Sequence, residues 1–523
     1  MYDIVIKNAR IADGTGNPLY HADVAVKDGK IQKIGPNLQL EARNVIDGTG
    51  KVLAPGFIDA HSHLDQRLEE VHHCRHMLLQ GVTTIIGGMC GDSPVPFSEE
   101  HQADCLRLLG GSYSEESLRA RGCLKDYRCH LKSVPMGANM TFLIGHSMLR
   151  AAVMGYENRK ATPEELAQMQ QLLGQCMKDG AMGVSFGLFY PPGSYADREE
   201  LIAIAQTAAD YGGIATAHIR SEGVRLVEST EELLQVVRAT GIRYVHSHHK
   251  SAGLENRNKT ITTLTMLEQV IQDGFDVFCD VYPYTAASNS LRNLIPAALH
   301  AQGVQSLLNM VTDPAERTAL RPMVLGSMTA QDKMKTVMVG SSVSHPEYSG
   351  RMLNEIAAKK GTDPFDLFCD ILRDDELNTI GIYFSINEED LERVMRWERS
   401  MIGADGGFGQ KPTDHPRTFG TFPRVLRHYV REKSLLTLEN AIRKMTYLPA
   451  MVYNLPTKGL VREGMDADLV LFDPQTVAEL GDFIQPTRGN TGFAYVMVNG
   501  QIAVEDDKVT DVLAGKLLFR DYL

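Results

Sequence analysis

The sequence predicts an α/β protein, a (β/α)8 TIM-like barrel over residues 57–455 with a small β-sandwich domain built from both chain ends, residues 1–56 and 456–523. Three observations predict it. A chain of 523 residues exceeds one ordinary core but suits a barrel of about 250 to 400 residues with a satellite. Its middle alternates short apolar runs with amphipathic helical stretches, the pattern of parallel strands and crossover helices. Its two ends carry alternating strands closed by Gly, Asp-Gly or Asn-Gly turns.

In order, YDIVIKNARIADG, HADVAVKDGKIQKIG and RNVIDGTGKVLAPG are the N-terminal strands. GMDADLVLFDP and FAYVMVNGQIAVEDDKV, turning at Asn499 and Gly500, answer them from the other end. Domain termini often lie close, so the two ends are expected to pair. The first barrel strand comes from the stretch Val52 to Asp65, VLAPGFIDAHSHLD, where an apolar strand stops at a Pro-Gly and then delivers His61, His63 and Asp65 at alternate positions, on one strand face. VTTIIGGMC, NMTFLIGH, AMGVSFGL, GGIATAHIR, IRYVHSHHK, FDVFCDVYPY and SMIGADGG supply the other seven. Thr162-Pro163-Glu164-Glu165 forms a capping box with Pro in the first turn, and Asp197 with Glu200 repeats the cap. Residues from about 290 to 398 are too long for a loop and carry helical patterns of their own, DPFDLFCDILRD and NEEDLERVMRW, which predicts an insertion over the barrel mouth.

Hydrophobic residues at 43% and charged residues at 23% are ordinary globular values, so the chain should be folded almost throughout. A formal net charge of -12, with no dense Lys/Arg cluster, argues against nucleic acid and for a small-molecule partner. The start MYDIVIKNARIADG lacks a basic, apolar leader, and no run approaches the ~18 apolar residues of a membrane span. Eight cysteines in so long a chain read as reduced thiols in the cytoplasm rather than a disulfide framework. A homo-oligomer is left open.

Metal-competent residues gather at the C-terminal ends of the predicted strands, where barrels keep their chemistry. His61 and His63 end the first strand, Cys90 the second, His218 the fifth, His248 the sixth and Asp405 the eighth. Thiolate, imidazole and carboxylate together favour Zn2+ over Mg2+ or Ca2+, so the barrel is expected to be metal-dependent. His246, two residues before His248, would share its face and competes for that position, while His249 points away.

These residues resemble the amidohydrolase superfamily and, within it, the N-acyl-D-amino-acid deacylases or D-aminoacylases. The likeness runs from PGFIDAHSHLD through GMCGDS, SFGLFYPPGSYA, AHIRSEG, SHHKSAG, DVYPYTAAS and GADGG to HPRTFGTFPRVLRHYVRE, nearly the whole chain. It implies that Cys90, His218 and His248 hold a tight zinc, with His61, His63 and Asp405 forming a weaker second position. It implies also that Asp405 is the general base and then acid, and that Arg417, Tyr282 and Ser288 grip the substrate carboxylate while Lys250 and Tyr190 line the same mouth. The implied substrate is an N-acyl-D-amino acid, and Arg292 is a candidate partner for an acidic side chain. AMGVSFGL lacks the strand-four lysine that bridges two metals in many superfamily members. The alternatives are a dihydropyrimidinase-like or dipeptidase-like enzyme, and a non-catalytic binding module on the same fold.

Overall fold

The computed structural model describes residues 1–520 apart from 112, 301, 327 and 409–414. Strands from the two chain ends share one nine-stranded sheet. Tyr2–Ile11 pairs antiparallel with Tyr20–Lys27 and parallel with Ala42–Asp47 and Val52–Pro55. Leu469–Phe472 then joins antiparallel beside Val52–Pro55, followed by Phe493–Val498 and Gln501–Glu505. That last hairpin turns at Asn499 and Gly500, with φ of 48° and 79°, the positive values that favour Asn-Gly in a tight hairpin. Alternate residues point one way along each strand, so Ile4, Ile6, Val24 and Ile31 from one end meet Leu469, Leu471 and Met497 from the other in one apolar cluster.

The middle of the chain forms short parallel strands buried on both faces, as helix-covered strands are. β1 (Phe57–Asp59), β2 (Val82–Gly87) and β3 (Asn139–Phe142) make one sheet. β4 (Ile144–Gly145), β5 (Gly183–Gly187), β6 (Ile214–His218), β7 (Arg243–His246), β8 (Val277–Val281) and β9 (Ser400–Ile402) make a second, each parallel to the next. Only Leu143 separates β3 from β4, and its N–H donates to the Gly87 carbonyl at 3.1 Å. At the other seam Ala60 N–H donates to the Ile402 carbonyl at 3.3 Å and Asp405 N–H to that of His61 at 2.8 Å. Ile58, Ile86, Leu143, Met182, Ile214, Val245, Phe278 and Met401, drawn from or beside the successive strands, converge in one cluster with Leu448 and Tyr453.

The helices start where the sequence indicates. Thr162 Oγ1 accepts from Glu165 N–H at 3.2 Å while the Glu165 carboxylate accepts from Thr162 N–H at 2.7 Å, and Asp197 accepts from Glu200 N–H at 3.0 Å. Each such cap contributes about 1 kcal/mol. Among the described residues no helix is long and apolar enough to cross a membrane.

The stretch Val52 to Asp65 breaks at its Pro-Gly, as expected, but Asp65 leaves the alternation. The chain belongs to the nine-stranded sheet as far as Pro55, crosses over at Gly56, and re-forms as β1. A Cβ on Gly56 would lie 2.1 Å from Thr83 Oγ1, so only glycine fits the crossing. β1 stops at Asp59, and Leu64–Arg67 is a 3-10 turn, which takes Asp65 out of the His61/His63 alternation. Its carboxyl is buried against Gly87, and burial pushes its pKa up to about 6.

Between β8 and β9 the chain builds a separate four-stranded sheet from Ala287–Ser290, Ile380–Tyr383, Val337–Ser341 and Arg351–Met352. It has its own apolar cluster, running from Leu291 through Phe365 and Phe368 to Leu377. The amphipathic sequences DPFDLFCDILRD and NEEDLERVMRW are helical over Pro364–Asp374 and Glu388–Arg396, capped by Asp363 and Asn387.

Candidate metal centre and substrate cavity

Of the six predicted metal donors only His218 sits within a strand, as the last residue of β6. Cys90, His248 and Asp405 lie two or three residues beyond β2, β7 and β9, where the chain has left the sheet. All three have positive φ, 55°, 35° and 47°, a region L-residues rarely occupy and one that concentrates at functional sites. The turn at His248 also corrects the expected competition with His246. The two do not share a face: His246 stands edge-on to His249, ring centroids 4.4 Å apart, and meets Tyr244 Oη at 3.2 Å, away from the other donors.

The remaining donors converge. Cys90 Sγ is 3.4 Å from both His61 Nε2 and His248 Nε2. Cys90, His218 and His248 each bring a ligand atom within 4.8 Å of the others, and so do His61, His63 and Cys90, and His61, His248 and Asp405. Asp405 Oδ1 lies 3.2 Å from His63 Nε2 and 3.5 Å from His61 Nε2. One thiol with two imidazoles is a donor set that suits tetrahedral zinc and leaves a fourth position open. Burial and the nearby Asp405 carboxylate push the Cys90 thiol well above its ordinary range. A coordinated cation reverses that preference, since a coordinating thiol is deprotonated.

Two carboxylates that the motif reading missed hold these donors in place. His61 Nδ1 is 3.2 Å from Asp280, which also accepts from His248 N–H at 2.8 Å. Glu222 lies 2.9 Å from His248 Nδ1 and accepts from Lys250 Nζ at 2.5 Å, and Lys250 Nζ is itself 2.8 Å from His248 Nδ1. A partner on the far ring nitrogen fixes the imidazole's tautomer and aim, leaving Nε2 for a metal. Both had a sequence signal: Asp280 is a charge inside the apolar run FDVFCDV, and Glu222 follows His218 by four residues.

A cavity of about 570 Å³ opens over the cluster. His63, Cys90, His218, His248 and Asp405 line it, as do Tyr190, Lys250, Tyr282, Ser288 and Arg417, so every residue expected at the site reaches it except His61, which is fully buried beneath. Arg417 Nη1 pairs with Asp405 Oδ2 at 2.6 Å, and Nη2 donates to the Ser288 carbonyl at a long 3.4 Å. Burial alone would raise the Asp405 pKa, but Arg417 and the histidines hold it well below the usual carboxylate range. His415 Nδ1 accepts from Arg417 N–H at 3.0 Å and its Nε2 faces the Ala286 carbonyl at 3.0 Å, fixing where the arginine starts. The Tyr282 hydroxyl is buried without a partner, with Arg417 and Lys250 at 4.7 and 5.5 Å from its ring. Farther along the wall stand Arg292 and Arg107, the latter 4.2 Å over the Tyr156 ring. Neither forms an ion pair within 4.0 Å among the described residues, and Arg292 Nε is buried without a partner.

A model of the amidohydrolase family matches residues 44–504. The chain belongs to the amidohydrolase family. A D-aminoacylase of Alcaligenes xylosoxydans xylosoxydans is 35% identical over 528 residues, covering 99% of this chain and 98% of the relative. A D-aminoacylase structure concerned with the role of its binuclear metal centre, with one-metal activation and second-metal attenuation, superimposes with a TM-score of 0.84 at 34% identity, covering 99% and 100% of the two chains. The N-acyl-D-glutamate deacylase from Bordetella bronchiseptica, solved with zinc and a phosphonate mimic of the tetrahedral intermediate, gives 0.85 at 32% identity and 99% of each chain. A D-hydantoinase from Thermus sp., at 18% identity and a TM-score of 0.57, shares the fold alone.

Proposed function

We propose that this amidohydrolase is a zinc enzyme that hydrolyses the amide of N-acyl-D-amino acids to a carboxylic acid and a D-amino acid. The observation that carries the reading is the Cys90, His218 and His248 cluster at the foot of a cavity whose wall holds Arg417. The whole-length likeness to D-aminoacylases supports the substrate class. In this reading the two parallel sheets close, through the seams at Leu143 and Ala60, into an eight-stranded barrel spanning about residues 57–455, with its insertion at about 290–398. The terminal sheet folds on its shared cluster into the small β-sandwich of residues 1–56 and 456–523.

Cys90, His218 and His248 would hold the tight zinc, and His61, His63 and Asp405 a weaker second position. Zinc supplies Lewis acidity there, lowering the pKa of water toward about 7 and polarising the scissile carbonyl. Asp405 takes the proton of the attacking water and returns it to the leaving nitrogen, because an amide does not leave as an anion. Arg417 receives the α-carboxylate in its fork, which replaces the long bond to Ser288, and the free Tyr282 hydroxyl donates to the same group. Lys250 and Tyr190 flank the reacting amide. Arg292 and Arg107, lacking carboxylate partners, favour an acidic side chain on the amino acid, in keeping with the N-acyl-D-glutamate deacylase among its structural neighbours.

A panel of N-acetyl-D-glutamate, N-acetyl-D-aspartate, N-acetyl-D-leucine, their L enantiomers, a dipeptide and hydantoin tests this. Zinc-dependent turnover of the acidic D substrates is expected, with Arg292→Met depressing those selectively. Turnover of hydantoin or the dipeptide alone would overturn the reading.

A further inference from the structure

Arg220 lies between His218 and Glu222, and the chemistry above makes no use of it. Its Nη1 donates to the Ser194 carbonyl at 2.7 Å and its Nη2 to that of Ala196 at 2.5 Å. Its Nε is held at 2.8 Å by the carboxylate of Glu232, on the helix Leu226–Thr240. Anchors on three nitrogens of one planar guanidinium fix its orientation as an ammonium could not be fixed. The segment it grips is tight. Ser194 N–H donates back to the Tyr190 carbonyl at 2.8 Å, and Tyr190 N–H to that of Gly187, the end of β5, at 3.3 Å. Gly193 passes so close that a Cβ there would stand 2.6 Å from the Gly187 carbonyl oxygen. Tyr190 itself stands edge-on to His218, ring centroids 4.9 Å apart, and faces the cavity.

We propose that Arg220 is a positioning residue that straps the Tyr190–Ala196 segment and so sets the Tyr190 ring against His218 and its hydroxyl toward the substrate. The stretch from the last residue of β6 onward would then place a metal donor at His218, a wall of the cavity through Arg220, and the His248 partner at Glu222. This rests on reading Tyr190 as a substrate contact.

Amide hydrogen exchange of the zinc-loaded enzyme tests the strap, and kinetics test its consequence. Arg220→Met should speed exchange across residues 189–197 while β6 and the zinc content stay unchanged. It should lower kcat/KM by about 10- to 100-fold, the scale of a misplaced substrate contact, with the same split between kcat and KM as Tyr190→Phe. The double variant should lose no more than the worse single one, since both remove one arrangement. Glu232→Gln, which keeps the shape and weakens the anchor, should show a smaller loss of the same kind and serves if Arg220→Met fails to fold. Unchanged exchange in that segment, multiplying losses, or loss of zinc on changing Arg220 would overturn the proposal. Full activity of Tyr190→Phe would instead refute the substrate-contact reading, and with it the kinetic consequence, whatever the exchange shows.

Discussion

Replacing Glu222 by glutamine removes the one carboxylate that faces both His248 Nδ1, at 2.9 Å, and Lys250 Nζ, at 2.5 Å. The side chain keeps its size but loses its charge, so Lys250, 6% exposed, is left without its counter-ion and His248 without the group that directs its Nε2 inward. Outer partners of metal-binding histidines are worth about 10- to 100-fold in affinity. At about 1.36 kcal/mol per tenfold, that is about 1.4 to 2.7 kcal/mol of zinc binding. Breaking the buried pair should also lower the melting temperature of the metal-free protein. Zinc competition against a chromophoric chelator measures the first effect and thermal melting the second. Lys250→Met on top of Glu222→Gln should recover stability, because it removes the unpaired buried charge. Unaltered zinc affinity in Glu222→Gln would refute the assignment of His248 as a donor braced by Glu222.

Asp405→Asn should abolish turnover of N-acetyl-D-glutamate while far-UV circular dichroism and tight zinc stay close to wild type, since the amide keeps the shape but cannot take the water proton. Arg417→Lys should lose about 2 kcal/mol in kcat/KM, because a point charge cannot make two parallel bonds to a carboxylate. Paired with a substrate whose carboxylate is amidated, the two losses should not add; additive losses would move the clamp to Lys250. Burial pushes the pKa of His76 down to about 4 from 6.5. Its folded pKa is the lower, so the unfolded chain takes up the proton first and stability is lost as pH falls from 6.5 through 4, by up to about 3 kcal/mol. Urea melts of His76→Leu should show a shallower acid loss than wild type, and parallel curves would exclude His76 as its source.

The broad pattern was legible because burial dictates it. Runs such as VTTIIGG, short, rich in β-branched side chains and bounded by glycine, read as strands covered on both faces, and Thr162 with Glu165 announces a helix start by capping chemistry that is local in sequence. The exact path at the site was not legible. Strand alternation assumes that the chain stays in the sheet, whereas Cys90, His248 and Asp405 reach the centre by leaving it with positive φ, and Asp65 departs in a 3-10 turn. The supporting carboxylates were hidden for a different reason. Asp280 and Glu222 each stand out in the sequence as charges, but which histidine each one braces is set through space: no spacing along the chain announces the contact of Asp280 with His61 or of Glu222 with His248.

Zinc K-edge X-ray absorption on protein loaded with one equivalent tests the centre most directly. Expected are one sulfur scatterer at about 2.3 Å with nitrogen and oxygen neighbours at about 2.0–2.2 Å, and loss of that sulfur in Cys90→Ser. A shell of nitrogen and oxygen alone in the unaltered protein would contradict that expectation, placing the metal on His61 and His63 instead of Cys90, His218 and His248.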